Sequence, residues 1–410
     1  MIVRRDTFNR GVLTLLTYLV LLRSTNMGIG YPNAEYLLAT IGYMPQKLMQ
    51  IVAMLLVLVY FFFNSASKVK AIKPNFIWAF FIAVCLFSIL FSPSISSTLR
   101  YFLSVFFISI PLYLYFKEYG GEALYKVVYK FIFFSLVVNF AYTILLPQYG
   151  VMTANHHGAW RGLFVHKNVF GGFISLAGIF LFYEAFMTAG RKKIAVLGFF
   201  ACFLMAVMSK STTALITFLA VIPTLLFVQF LLALDDKNKK AIFLFIYTVL
   251  LVLVYFTVNS FIDEIFILLD KDPTLTGRTG LWDVLLELSA QRPAIGYGLG
   301  YFHRPEVMYK YSVDFGWDAK STHSSYIDMI LGVGYLGTII FSTILVKLLL
   351  NTLMKRKPVD SGVDRRAVSV TVVVGCLFVG SATSGVILGT SFFWLLMLAM
   401  MIYMSETKTE

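Results

Sequence analysis

The chain has 410 residues, 59% of them hydrophobic and only 13% charged, with a mean hydropathy of +0.80. A soluble domain carries about 25% charged residues, so this composition excludes a chain that faces water on all sides. The formal net charge of +13 is read as a membrane-orientation signal rather than nucleic-acid affinity.

Apolar runs of spanning length recur from end to end. They are too long and too uniformly apolar for barrel strands, so the fold class predicted is all-α, a polytopic membrane helical bundle. The runs predict spans at 11–30, 45–63, 74–92, 98–116, 124–146, 168–189, 193–208, 212–234, 241–260, 323–351, 366–384 and 386–404, about 12 transmembrane helices. Arg23 and Asn26 interrupt the first, and the last two can be read as one hairpin broken around Ser384-Gly385. The three cysteines, Cys85, Cys202 and Cys376, lie inside apolar runs and read as buried hydrophobes; no Cys/His spacing suggests a metal. No small-residue cleavage site follows the first run, so no cleavable signal peptide is expected.

With the N-terminus in the cytoplasm, 21 Lys and Arg fall in inside segments and 6 in short outside ones. That bias, repeated loop by loop, predicts both termini inside. The organisation expected is 1–260 as helices 1–9, 261–322 as a large outside loop, and 323–410 as helices 10–12. Loops of that length are uncommon and usually functional. Within it, LWDVLLELSA places Leu281, Leu285 and Leu288 on one helical face and Asp283 and Glu287 on the other. Such a helix lies on the bundle or at the membrane interface.

All five histidines, His156, His157, His166, His303 and His323, fall in outside segments. THSSYIDMILGVGYLG puts His323 at the mouth of a long span behind a cluster of hydroxyls, with Gly332, Gly334 and Gly337 following. The bland alternative is an N-capped helix with a small-residue packing face. TGRTGLW sets Arg278 before the amphipathic helix, and RPAIGYGLGYF carries Gly296, Gly298 and Gly300, which read equally well as a surface turn. MSKSTTAL places Lys210 in a very short turn between two apolar spans; a cation there is costly and suggests function, unless it snorkels. WRGLFVHKNVFGG adds Arg161, His166, Lys167 and Asn168 at another span entrance. Cations at a membrane surface suit an anionic headgroup such as a diphosphate, and a histidine suits general acid–base work. Asp270 and Asp272 flank Lys271 and read as solvated, so no acidic metal-binding cluster is expected.

Four stretches, RGLFVHKNVFGG, SKSTTAL, GRTGLWDVLLELSAQRPAIGYGLG and THSSYIDMILGVGYLG, resemble the O-antigen ligase/O-antigen polymerase superfamily over about residues 150–340. The wording of the first two is more similar to its exopolysaccharide-polymerase branch than to the lipid A-core ligases. The resemblance implies a glycosyltransferase C-type membrane fold with a large periplasmic loop, in a bacterial inner membrane. It implies an undecaprenyl-diphosphate-linked glycan as donor, transfer with inversion, and neither metal nor cofactor. Arg278 would contact the donor diphosphate, with Lys210, Arg161 and Lys167 as further diphosphate-binding candidates. His323 would take the acceptor proton or position the acceptor hydroxyl. His166, Asn168 and Tyr326 would line the substrate. Lys210 stands where ligases commonly carry arginine, and a lysine lacks the bidentate fork for phosphate oxygens. Implied partners are the lipid-linked glycan, membrane lipid, and chain-length regulator and flippase proteins; no nucleic acid is expected. The competing readings are a ligase with a lipid A-core or other acceptor, a transporter, and a non-catalytic scaffold. A transporter would show paired halves and charges at mid-membrane; neither is seen in the sequence.

Overall fold

The structure, a computed structural model, describes residues 2–27, 43–63, 76–153, 156–188, 192–261, 278–317, 319, 321–355 and 365–406. Residues 262–277, which include Asp270, Lys271 and Asp272, lie outside them, as do Lys68, Lys70, Lys73, Arg191, Arg356, Lys357 and Lys408 of the orientation count. The described chain is helical, with a lone antiparallel bridge between Val151 and Trp160. Its helices are α1 (Ile2–Thr25), α2 (Tyr43–Phe63), α3 (Phe76–Leu90), α4 (Ile95–Leu145), α5 (Lys167–Phe182), α6 (Lys193–Met208), α7 (Thr212–Ala233), α8 (Lys237–Ser260), α9 (Arg278–Ala290), α10 (Pro305–Phe315), α11 (Ser325–Met354), α12 (Arg366–Gly380) and α13 (Phe392–Glu406).

Four of these are long and apolar enough to cross a membrane: α4, α5 with its extension to Phe186, α7 and α11. Shorter apolar helices occupy Lys47–Tyr60, Phe80–Leu90, Lys193–Met208, Arg366–Gly380 and Phe392–Ser405. The large hydrophobic side chains left exposed, such as Leu197, Phe245 and Ile339, are what lipid-facing surfaces require. The pair of spans expected at 98–116 and 124–146 is carried by α4, whose 51 residues break at Gly120 (φ 78°, ψ 172°). An unbroken helix of that length would run about 77 Å, more than twice a bilayer core; the break divides it. Between α12 and α13, residues 381–391 are not helical, with Gly385 and Leu388 at positive φ, where the sequence suggests a broken hairpin.

The chain forms two compact units. The first comprises 1–76, 100–225 and 365–410. Its centre is α5, buried along nearly its whole length and packed on α6 and α12. Small residues permit the approach: a Cβ on Gly178 would meet the Phe218 ring at 2.6 Å. Ser175 donates to the Gly171 carbonyl of its own helix at 2.8 Å and lies 2.7 Å from the Ala214 carbonyl of α7. α5 ends in a π-helical turn, Tyr183–Met187, that carries the buried Glu184. Two cations reach Glu184, Lys192 at 2.7 Å and Arg365 at 3.6 Å. Arg365 also binds both oxygens of Glu122, at 2.6 and 2.7 Å, over the Tyr125 ring. Two cations of the orientation count therefore pair with the buried Glu184, and Arg365 also with the exposed Glu122.

The second unit comprises 77–99 and 226–364. Its core gathers Leu281 and Leu285 of α9, Tyr297, Phe302, Val307 and Tyr311 against Ile327 and Leu331 of α11. The amphipathic pattern of LWDVLLELSA is followed: Leu281 and Leu285 are fully buried while Asp283 and Glu287 are exposed. Lys240, fully buried at the start of α8, donates to the carbonyls of Leu353 and Lys355 at 3.0 and 2.8 Å. It closes the C-terminal end of α11, where a cation is favoured by the helix dipole.

Within α11, Gly332 packs against Leu299 and Gly337 near Val84, as a small-residue face would. Gly334 does something else. At φ 67° and ψ −176° it breaks the helix, and the loop fills the gap. Tyr297 and Gly298 amides donate to the carbonyls of Leu331 and Gly332 at 2.6 and 2.9 Å, while Tyr335 and Leu336 amides donate to those of Pro293 and Ala294 at 2.7 and 3.3 Å. Backbone groups released by the break are thus satisfied. Gly296, Gly298 and Gly300, all at positive φ, shape a run of turns inserted at the break rather than a free surface turn.

Candidate functional site

The first unit holds five of the candidate residues around one loop. After α4, a single helical turn at Pro147–Gly150 leads into the Val151–Trp160 bridge. The Arg161 and Gly162 amides both donate to Gly150 O, at 2.9 and 3.0 Å, and the Leu163 amide donates to the buried Asn139 side chain at 2.8 Å. Arg161 is buried, and its guanidinium donates to the carbonyls of Tyr149 at 3.0 Å and Val165 at 3.5 Å. His166 caps α5, its Nδ1 accepting from the Asn168 amide at 3.2 Å, the usual role of a polar side chain at that position. Lys167, 9% exposed, donates to the Lys210 carbonyl at 2.9 Å. Lys210 itself is exposed and donates to the His157 carbonyl at 3.1 Å. Arg161 and Lys167 therefore fasten backbone, and Lys210 is the cation that reaches the surface.

The second unit holds the other three. Arg278 opens α9, half-buried, and burial pushes its guanidinium below the ordinary arginine range. Among the described residues no hydrogen bond or ion pair to it is seen. One turn on, where i and i+4 share a face, the Trp282 indole donates to the Thr322 carbonyl at 2.7 Å. That bond ties the Arg278 helix to the residue before His323. His323 is half-buried, its amide donates to Ser321 Oγ at 3.3 Å, and its ring lies 5.8 Å from that of Trp317. Tyr326, at the exposed side of the first turn of α11, follows the N-cap Ser324.

Among the described residues four non-glycine positions have positive φ: Asn26, Lys210 (50°), His323 (55°) and Leu388. Two of the four are candidate site residues. Backbone held in that region is strained and gathers at functional positions.

Sequence reading passed over Arg304 and Asp328 and placed His303 only among the five outside histidines, without a role. Arg304 is buried, donates to Ser92 Oγ and Thr98 Oγ1 at 2.7 Å each and to the Tyr297 carbonyl at 3.1 Å, and lies over the Tyr301 ring. Burial lowers its pKa, while Tyr301 and Glu306 partly oppose this. His303 Nε2 lies 3.9 Å from Asp328 Oδ2, and Thr322 Oγ1 lies 2.8 Å from both Asp328 Oδ1 and the Ser324 carbonyl. The available signal was Asp328 itself, a carboxylate in the first turn of an apolar span, where a charge needs a reason.

The family model described as O-Antigen ligase matches residues 197–342. That stretch includes Lys210, Arg278 and His323, and leaves RGLFVHKNVFGG outside. The exopolysaccharide production protein ExoQ of Rhizobium meliloti (strain 1021) is 26% identical over 219 residues, 50% of this chain and 49% of that protein. The chain thus spans about half the length of the curated relative it matches. No solved structure matches. This apolar, helical membrane protein resembles the O-antigen ligase/O-antigen polymerase superfamily, and the family match covers the segment that holds Lys210, Arg278 and His323.

Proposed function

We propose that the protein is a membrane glycosyltransferase that polymerises undecaprenyl-diphosphate-linked oligosaccharide repeats into a surface polysaccharide. The observation that carries this is His323, held in a left-handed backbone conformation at the mouth of α11 and linked through Thr322 and Trp282 to the helix of Arg278. The acceptor hydroxyl attacks the anomeric carbon with inversion, and the lipid diphosphate leaves carrying the bonding electron pair. Arg278, desolvated and unpaired among the described residues, stabilises the charge that develops there; a fixed cation in a poorly hydrated site acts most strongly. His323 takes the hydroxyl proton or positions the hydroxyl, with Tyr326 beside it. The diphosphate ester is already activated, so no nucleotide, metal or cofactor is called for. In the first unit Lys210 offers an exposed ammonium to an anionic headgroup; Arg161, Lys167, His166 and Asn168 shape the loop that carries it.

In this reading the shorter apolar helices complete a glycosyltransferase C-type bundle of about twelve spans in the bacterial inner membrane. Both termini are cytoplasmic and residues 261–322 are periplasmic. Chain-length regulator and flippase proteins are its partners. ExoQ, named for exopolysaccharide production, favours polymerisation; the family description keeps ligation to a lipid A-core or other acceptor as the second reading. Glycan profiling of a deletion strain complemented with wild type, His323→Ala or Arg278→Ala at matched protein levels tests both. Lipid-linked single repeats accumulating in both mutants support the polymerase. Preformed long chains building up on the lipid carrier mean a ligase, and full complementation by both mutants refutes the site.

A further inference from the structure

His303 and Asp328 stand beside the proposed site and have no part in it so far. Asp328 is 14% exposed at its side chain and lies in the first turn of α11, where the helix N-terminus favours a negative charge. One of its oxygens lies 2.8 Å from Thr322 Oγ1, whose single proton is shared between it and the Ser324 carbonyl, also at 2.8 Å. The other faces His303 Nε2 at 3.9 Å. His303 rides on the short 3-10 turn Tyr301–His303, entered through Gly300 at φ 72°. The next residue, Arg304, anchors that turn to Ser92, Thr98 and the Tyr297 carbonyl. The histidine side chain remains 30% exposed. Thr322, which holds Asp328, is the neighbour of His323 and takes the Trp282 bond from the Arg278 helix.

A plain staple between loop and helix is the competing account. At 3.9 Å the pair is too long for a hydrogen bond, and ion pairs of partly exposed groups contribute only about 0–1 kcal/mol. The loop already has stronger fastenings in Arg304 and in the four backbone bonds across the Gly334 break. A staple gives little reason for a rigidly held carboxylate to face a solvent-reaching imidazole. Proton transfer does: a histidine that takes a proton becomes a cation, and a fixed carboxylate behind it stabilises that cation.

We propose that His303 is the proton acceptor of the transfer reaction and Asp328 its positioning residue, with His323 orienting the acceptor hydroxyl. This rests on the glycosyl-transfer reading given above. The acceptor O–H proton passes to His303. Its oxygen forms the new bond to the anomeric carbon, while the bond from that carbon to the diphosphate oxygen breaks and leaves its electron pair on the lipid diphosphate facing Arg278. His303 then releases the proton to water.

The test uses the full-length protein in lipid nanodiscs with a lipid-diphosphate-linked oligosaccharide repeat, measuring turnover and donor binding separately. His303→Gln and His303→Ala are expected to lose about 10²–10⁴-fold in turnover with donor affinity within about twofold of wild type, and added imidazole should restore part of the His303→Ala rate. Asp328→Asn, which still accepts from Thr322, should lose on the order of 10²-fold, and Asp328→Glu should recover most of it. An active wild type with a His303→Gln variant within threefold of its rate overturns this inference and leaves the glycosyl-transfer reading standing. So does a His303→Ala loss that imidazole cannot touch while His303→Gln is normal. A wild-type protein that binds the lipid-linked repeat and transfers nothing overturns the reading itself, and this proposal with it.

Discussion

Arg161 of the first unit and Arg278 of the second are surrounded differently. In the first, the guanidinium of Arg161 points at the carbonyls of Tyr149 and Val165, and Lys167 beside it points at the carbonyl of Lys210. These cations complete backbone that would otherwise be left short of donors. In the second unit Arg304 plays the same part, joined to Ser92, Thr98 and Tyr297. Arg278, a helix away, has burial without such partners among the described residues. Residue type and neighbourhood are alike; what separates a structural cation from a candidate anion site is whether protein oxygens already surround it.

The sharpest way to break this contrast is at Arg278. Arg278→Ala is expected to lower glycan transfer by roughly 10²–10³-fold while the thermal transition of the detergent-solubilised protein stays within about 2 °C; Arg278→Lys should recover only part of it. A large loss of stability would place Arg278 with Arg304 instead. Gly334→Val comes next. A side chain at φ 67° is strained by about 1–3 kcal/mol, and its Cβ would run into Ala294 backbone. Faster hydrogen exchange at Tyr297, Gly298, Tyr335 and Leu336 is the readout, and unchanged protection there would deny the four backbone bonds across the break their role.

Arg304→Met should cost about 1–3 kcal/mol through the unpaired Ser92, Thr98 and Tyr297 groups, visible in chemical denaturation and in protease sensitivity of residues 292–304. Lys167→Met is expected to be the mildest. Losing one bond to the Lys210 carbonyl is worth about 1 kcal/mol, and transfer should stay within a few-fold of wild type. A collapse of transfer in Lys167→Met would mean that a backbone-fastening cation also meets the ligand.

Much of the helical pattern was legible because it is local. Leu281, Leu285 and Leu288 recur at helical spacing, and α9 buries that face. The paired apolar runs either side of Gly120-Gly121 likewise foretold a break in α4. What stayed hidden is long-range. Nothing about GVGYLG distinguishes a glycine that packs, such as Gly337, from one that breaks the helix, as Gly334 does, because the difference lies in Pro293–Gly298 some forty residues earlier. His303 and Asp328 are 25 positions apart in the sequence, so their approach could not be read from spacing. The candidates themselves, Lys210, Arg278 and His323, were found because a cation or histidine at the edge of an apolar run stands out. That signal could not tell Lys167, turned onto a carbonyl, from Lys210, turned outward.

The break at Gly334 also bears on how the protein is made. Residues 293–298 leave the ribosome before residues 331–336, so the hydrogen-bond partners of the interrupted helix already exist when the interruption is synthesised. The top of α11 cannot reach its final form by winding alone; it has to dock on a segment that came first. A loop that lagged behind would leave unpaired amides and carbonyls at the mouth of α11. Assembly of His323's surroundings is thereby tied to the order in which the chain emerges.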